Sequence, residues 1–170
     1  MHDVQNLTPK TVEPIYRRFF WDKVGGDDLP MALDLAVFDF GVHSGPSRGI
    51  IGLQRVLGLA DDGQMGPVTI TTAKRADPML AVQRLSAARL AFLSQLTVFK
   101  TFGKGLKSRV SKCENAALSI IARQVVAMAS VALSGEQSGE ATLGDEPILV
   151  PNGPDIEADG RLLNVGIAVA

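Results

Sequence analysis

The sequence predicts a mainly α protein: one helical domain built on a central buried helix, followed by an irregular or partly β C-terminal tail. Three observations lead there. Apolar residues recur at three- and four-residue steps through most of the first 134 residues. Pro and Gly punctuate those stretches where helices start and stop. One segment, residues 30–44, is apolar on two opposite sides, as a helix packed between neighbours must be. With 46% hydrophobic and 21% charged residues over 170 positions, the chain has enough apolar side chains for a single core.

Thr8 and Pro9 mark the first helix start, as N-cap and first helical residue. Val12, Ile15, Tyr16, Phe19 and Phe20 then follow at helical spacing. Pro14 has no N–H for the helix ladder, so a start at Thr11 is the alternative. Gly25-Gly26-Asp27-Asp28 closes the segment as a loop. Pro30 opens the central helix. There Leu33, Ala36, Val37 and Phe40 form one apolar arc, and Leu35, Phe38 and Val42 form another on the far side. Asp39 and His43 share the narrow polar stripe between them, one turn apart and spaced to pair with each other.

Gly45-Pro46 ends that helix and begins a third, which runs to about Leu57 and is capped by Gly58. Asp61-Asp62-Gly63 is a turn, Gly66-Pro67 starts a short helix, and Asp77-Pro78 precedes a long amphipathic one over 79–96. A Phe- and Gly-rich loop (Phe99, Phe102, Gly103, Gly105) is expected to lead into a last helix from about Lys107. Within it, residues 116–133 are almost continuously apolar, close to the roughly 20 residues of a membrane span. Arg123 and Gln124 interrupt the middle, where an Arg costs about 2.5–3.5 kcal/mol on insertion scales. A core or homo-oligomer helix and a membrane-contacting helix both fit residues 116–134. Beyond them, 148–150 and 162–169 are expected to form short strands.

Charge and soft ligands narrow the function classes. The net charge is −1, too little for the broad basic face that nucleic-acid binding demands, so no nucleic-acid partner is expected. The charge is segregated, however. Residues 100–112 hold five basic side chains and no acid, whereas 136–159 hold seven acids and no base. That pattern suits a surface for an anionic polymer, or a basic helix shielded by an acidic tail. Cys113 is the sole cysteine, which excludes an intrachain disulfide. With only His2 and His43 beside it, no metal site and no cofactor are expected.

The segment Leu53-Gln54-Arg55-Val56-Leu57-Gly58, followed by Asp62-Gly63-Gln64-Met65-Gly66-Pro67-Val68-Thr69, resembles peptidoglycan-binding modules. Gln54, Asp62 and Thr69 become candidate contacts there, although the same residues can simply shape a helix-turn-helix. The wider order of motifs is more specific. Ile15-Tyr16-Arg17-Arg18-Phe19-Phe20-Trp21, Gly26-Asp27-Asp28-Leu29-Pro30, Asp34-Leu35-Ala36-Val37-Phe38-Asp39-Phe40 and Ser44-Gly45-Pro46 come first. Ala87-Ala88-Arg89-Leu90-Ala91-Phe92-Leu93 and Phe102-Gly103-Lys104-Gly105 come after the turn. Over residues 7–122 this resembles glycoside hydrolase family 108, the N-acetylmuramidases also described as secretion-activator proteins.

The resemblance implies a lysozyme-like helical fold and peptidoglycan as substrate and partner. It also implies a phage or prophage setting, with a protein that stays in the bacterial cytoplasm until release and acts at the periplasm and cell wall. Residues 1–10 show no secretory signal pattern. Residues 1–58 would then be the remnant of the lysozyme-like domain, 59–134 a peptidoglycan-binding-like part packed on it, and 135–170 an acidic tail. A phage or membrane partner through 116–134 is compatible with that setting.

The family's Glu-Gly-Gly-Tyr motif, which carries its proposed catalytic acid, has no counterpart in these residues, so incomplete catalysis is expected. The family also usually has Asn where Val42-His43-Ser44-Gly45 stands. Glycoside hydrolysis needs a carboxylic acid whose pKa is raised, usually by an apolar pocket. Asp39, between Phe38 and Phe40, is the one weak candidate. Tyr16 and Trp21 could stack on sugar faces or pack in the core, and His43 and Ser44 could line a cleft beside Asp39. A non-enzymatic wall-binding or virion component is the alternative reading, and a helix-turn-helix nucleic-acid binder a more remote one.

Overall fold

Six α-helices organise residues 7–135, the part of the chain described by the computed structural model: α1 (Pro9–Tyr16), α2 (Leu33–Ser44), α3 (Pro46–Val56), α4 (Pro67–Arg75), α5 (Pro78–Ser94) and α6 (Phe99–Gly135). No strand occurs among the described residues. The expected tail strands, like residues 1–6, lie outside them.

The first helix starts at Pro9, not Thr11. Thr8 accepts a hydrogen bond from the Thr11 N–H, and the Thr11 hydroxyl accepts one from the Thr8 N–H at 2.9 Å, a reciprocal cap. Pro14 is carried inside the helix. One turn later the helix widens into a π turn, Arg17–Trp21, where the Asp22 N–H donates to the Arg17 carbonyl at 2.9 Å. No residue of α1 is buried, and Ile15, Tyr16 and Phe19 are about half exposed.

α2 is the central helix the two apolar arcs predict, entered three residues after Pro30. Leu33, Ala36, Val37 and Phe40 are buried, Leu35 and Phe38 pack against the core from its edge, and α3, α5 and α6 all contact the helix. It turns sharply into α3 at Gly45, whose φ of 96° suits only glycine. Back from that corner the two backbones touch. A Cβ on Gly49 would lie 2.9 Å from the Val37 carbonyl oxygen and 3.2 Å from the Gly41 nitrogen. Gly49→Val is therefore expected to force the helices apart and cost roughly 1–3 kcal/mol, read by urea unfolding.

α5 is N-capped by Asp77, which accepts from the Leu80 N–H at 2.7 Å, and packs along α6. Here the structure corrects the sequence reading, because the Phe- and Gly-rich stretch is not a loop. α6 runs unbroken from Phe99 for 37 residues. Each mid-helix Gly costs about 1 kcal/mol relative to Ala. Burial of Val110, Ala117 and Ile121 further along the helix outweighs that cost. Gly103 also lets the Phe99 ring lie against the backbone, 3.1 Å from where its Cβ would be. Ile121 is the last buried residue, and positions 122–132 are all exposed.

Candidate functional site

The polar stripe of α2 becomes the charged centre of the domain. Asp39 receives two guanidinium groups from distant helices. Arg89 of α5 donates through Nη1 to Oδ2 at 2.7 Å and through Nη2 to the Asp39 carbonyl at 3.3 Å. Arg109 of α6 donates through Nη2 to Oδ1 at 2.6 Å and through Nε to Oδ2 at 3.3 Å. Arg89 is 3% exposed, lies over the Phe40 ring, and has no partner for its Nε. Asp39 thus ties α2, α5 and α6 together.

This environment fixes its protonation. Burial alone would raise the Asp39 carboxyl, but hydrogen bonds from Arg109 and Arg89, with their charges, outweigh it and hold the group below its ordinary value. A glycosidase acid needs the opposite shift. Asp34, five residues earlier, does shift upward because of its burial, against hydrogen bonds from the Leu35 and Ala32 backbone. It lines neither of the grooves described below.

His43 does not pair with Asp39 as its spacing suggests. Its Nδ1 lies 3.0 Å from the Ser44 hydroxyl, and the two arginines take the carboxylate instead. Burial lowers the His43 pKa, and the charges of Arg89 and Arg109 lower it further, against the opposing charge of Asp39. Its folded value thus lies below the ordinary 6.5. Stability from this depression is fully present above pH 6.5 and is lost as pH falls through the folded value. His43→Asn is expected to flatten the decline in unfolding free energy between about pH 7 and pH 5, measured by denaturant titration against the unaltered chain.

Two grooves flank these residues. One, of about 600 Å³ between α2 and α6, is lined by Leu35, Asp39, Ser108, Arg109, Lys112 and Cys113 among others. The second, of about 560 Å³, holds His43 against Leu96, Val98, Thr101, Phe102 and Leu106. They meet at Gly105, where no atom lies within 4 Å of where a Cβ would stand. The absence of a side chain there keeps the junction open. Burial pushes the Cys113 thiol up to about 11, so it is a protonated wall residue at neutral pH.

Gln54, Asp62 and Thr69 assemble into a separate node. The buried Gln54 amide donates to Asp62 Oδ1 at 2.7 Å, to the Gln64 carbonyl at 3.0 Å and to Thr69 Oγ1 at 3.3 Å. Its oxygen accepts from the Gly63 N–H at 3.0 Å. Gly58 caps α3 with φ 71°, the Leu59 N–H reaching back to the Gln54 carbonyl at 2.9 Å. The side chains face one another as a latch on the turn, beside an open hollow of about 400 Å³.

Tyr16 and Trp21 line neither groove around Asp39. Trp21 is half-buried against Phe38, edge to face at 5.4 Å, over Gly26, where a Cβ would meet its ring, and donates to Asp27 Oδ1 at 2.9 Å. Tyr16 is exposed and packs beside Phe20 at 5.6 Å. Arg89 and Arg109 were not foreseen as Asp39's partners, although an arginine on the buried stripe of α5 (Val82, Leu85, Ser86, Arg89, Leu93) is a readable signal. Among the described residues no group of His, Cys, Asp and Glu could hold a metal ion.

Against known proteins, the glycosyl hydrolase 108 family model matches residues 1–45. The chain is similar to the solved structure of Brucella abortus SagA, at 43% identity over 69% of this chain and 67% of that one, with a TM-score of 0.65. The comparison with curated proteins gives no match. The likeness agrees with the mainly α, lysozyme-like domain on a central buried helix that the motifs imply, and the described residues are helical throughout their regular structure.

Proposed function

The chain belongs to the glycosyl hydrolase 108 family, and on that premise we propose that it is the glycan-engaging scaffold of a peptidoglycan-active hydrolase, acting at the cell wall. The observation that carries this reading is the 43% identity to SagA over 69% of this chain. Their chemistry suits the polymer. Phe102, Val98 and Leu96 offer an apolar wall on which sugar faces pack, while Arg109 and Lys112 offer charge to the carboxylates of muramic acid and its peptide stems.

Cleavage of the bond between N-acetylmuramic acid and N-acetylglucosamine would need a proton donor that these grooves do not supply. Asp39 is their only acidic lining residue, and its two arginines keep it ionised. The family's acid belongs to the Glu-Gly-Gly-Tyr segment, so the chain binds glycan and the acid comes from that segment when it is present.

Gly105→Leu tests the binding surface, because it fills the groove junction while replacing a poor helix former with a good one. Expected is a roughly tenfold loss of binding to insoluble peptidoglycan in a pull-down, ~1.4 kcal/mol, with no loss of thermal stability. Undiminished binding by this variant would move the glycan surface elsewhere on the molecule.

A further inference from the structure

We propose that the hollow between α3, α4 and α5 is a second binding site, one that takes the carboxylate end of a short peptide with small apolar side chains. The hollow holds about 320 Å³. It lies where the C-terminal ends of α3 and α4 meet the first turns of α5, with Val56, Leu57 and Ala81 in its apolar lining. It shares no lining residue with the two grooves around Asp39 and His43.

Two arginines line this hollow from different helices, Arg75 from the last turn of α4 and Arg84 from the second turn of α5. Neither guanidinium has a hydrogen-bond, ion-pair or ring partner among the described residues. Every other arginine there meets a carboxylate, a backbone carbonyl or an aromatic ring. Asp77 also lines the hollow, but its carboxylate accepts from the Leu80 N–H at 2.7 Å and forms an ion pair with neither arginine. Two like charges around one hollow repel, and a carboxylate seated with them relieves that repulsion through charge-assisted hydrogen bonds.

The rest of the lining selects what carries the charge. The planar fork of an arginine matches a carboxylate or a phosphate, but inorganic phosphate would leave the apolar floor unused. At ~30 Å³ per water the hollow has room for about ten waters, which suits the last two residues of a peptide with small side chains. On the reading that this chain works on peptidoglycan, the ligand is the free end of a peptide stem, held here while the glycan lies in the paired grooves.

Titration of the full 170-residue chain with N-acetyl-D-alanyl-D-alanine, followed by amide NMR shifts, tests this. Expected are saturable shifts centred on residues 56–57 and 72–84. Affinity should fall roughly tenfold in Arg75→Gln/Arg84→Gln, and by a similar factor when the dipeptide carries a terminal carboxamide. Both arginines are exposed, so the double variant is expected to keep the thermal stability of the unaltered chain. Gly105→Leu should bind the dipeptide unchanged. An absence of saturable shifts would overturn the proposal, as would shifts centred on Arg109 and Lys112 or undiminished binding by the double variant. Inorganic phosphate binding as tightly as the dipeptide would overturn the peptide assignment. Retention of the chain on insoluble peptidoglycan without dipeptide binding would overturn the hollow alone. Dipeptide binding by a chain that peptidoglycan does not retain would support the carboxylate site and contradict the peptidoglycan reading.

Discussion

Asp39→Ala is expected to destabilise the fold by about 3–5 kcal/mol, although the residue lies in a groove and is the sequence's one weak candidate for a catalytic acid. The loss comes less from the missing carboxylate than from what it leaves behind. Arg89 is 3% exposed and would keep a buried, uncompensated guanidinium, while Arg109 would lose the partner that holds α6 against α2. Asp39→Asn keeps the shape and one acceptor but not the charge, so it should fall between the two. Arg89→Met removes the buried charge with its donor and fills the space with a flexible apolar side chain. It is therefore expected to cost less than Asp39→Ala, despite deleting more hydrogen-bonding atoms. Urea unfolding of the three variants gives that order directly. The depressed Asp39 pKa adds a pH signature. Its stabilisation is complete above the ordinary carboxylate value of 3.8 and is lost as pH falls through the lower folded value, a dependence that Asp39→Ala abolishes.

The second large effect is expected at Gln54. One amide satisfies the Gly63 N–H, Asp62, the Gln64 carbonyl and the Thr69 hydroxyl. Gly63 and Thr69 are themselves buried, so Gln54→Ala takes away the side chain that bonds the Gly63 N–H and the Thr69 hydroxyl. At ~1–3 kcal/mol for each unsatisfied buried group, the expected cost is roughly 2–4 kcal/mol. It should appear locally, as faster hydrogen exchange through the 59–69 turn and the first turn of α4, before global unfolding. Thr69→Val removes a single acceptor from the same node and should cost about 1 kcal/mol.

These two centres show what could be read from the chain and what could not. The node around Gln54 is local: its members lie within fifteen residues, and their turn chemistry marks them in the sequence. Their mutual bonding, which makes them a latch, required the fold. The two arcs of α2 likewise announced a central helix, because burial on opposite sides leaves its mark on one segment. Asp39 was legible as a polar residue trapped on that helix. Its partners were not, since they lie 50 and 70 positions away and nothing in the periodicity of α2 points to them. The start of α6 was misread because Gly103 and Gly105 are poor helix formers. Tertiary packing decided otherwise, and Gly105 turned out to keep the groove junction open.

The central proposal is that this helical body engages peptidoglycan with an ionised, structural Asp39, and that cleavage uses the acid of a Glu-Gly-Gly-Tyr segment. The most direct measurement is release of new reducing ends from purified peptidoglycan. It would compare the 170-residue chain, its Asp34→Asn and Asp39→Asn variants, and the chain preceded by a Glu-Gly-Gly-Tyr segment of the family type. Expected is binding without release by the chain itself, and release once the segment is joined. Release by the 170-residue chain that disappears in Asp34→Asn or Asp39→Asn would contradict it, by showing a working proton donor within this body.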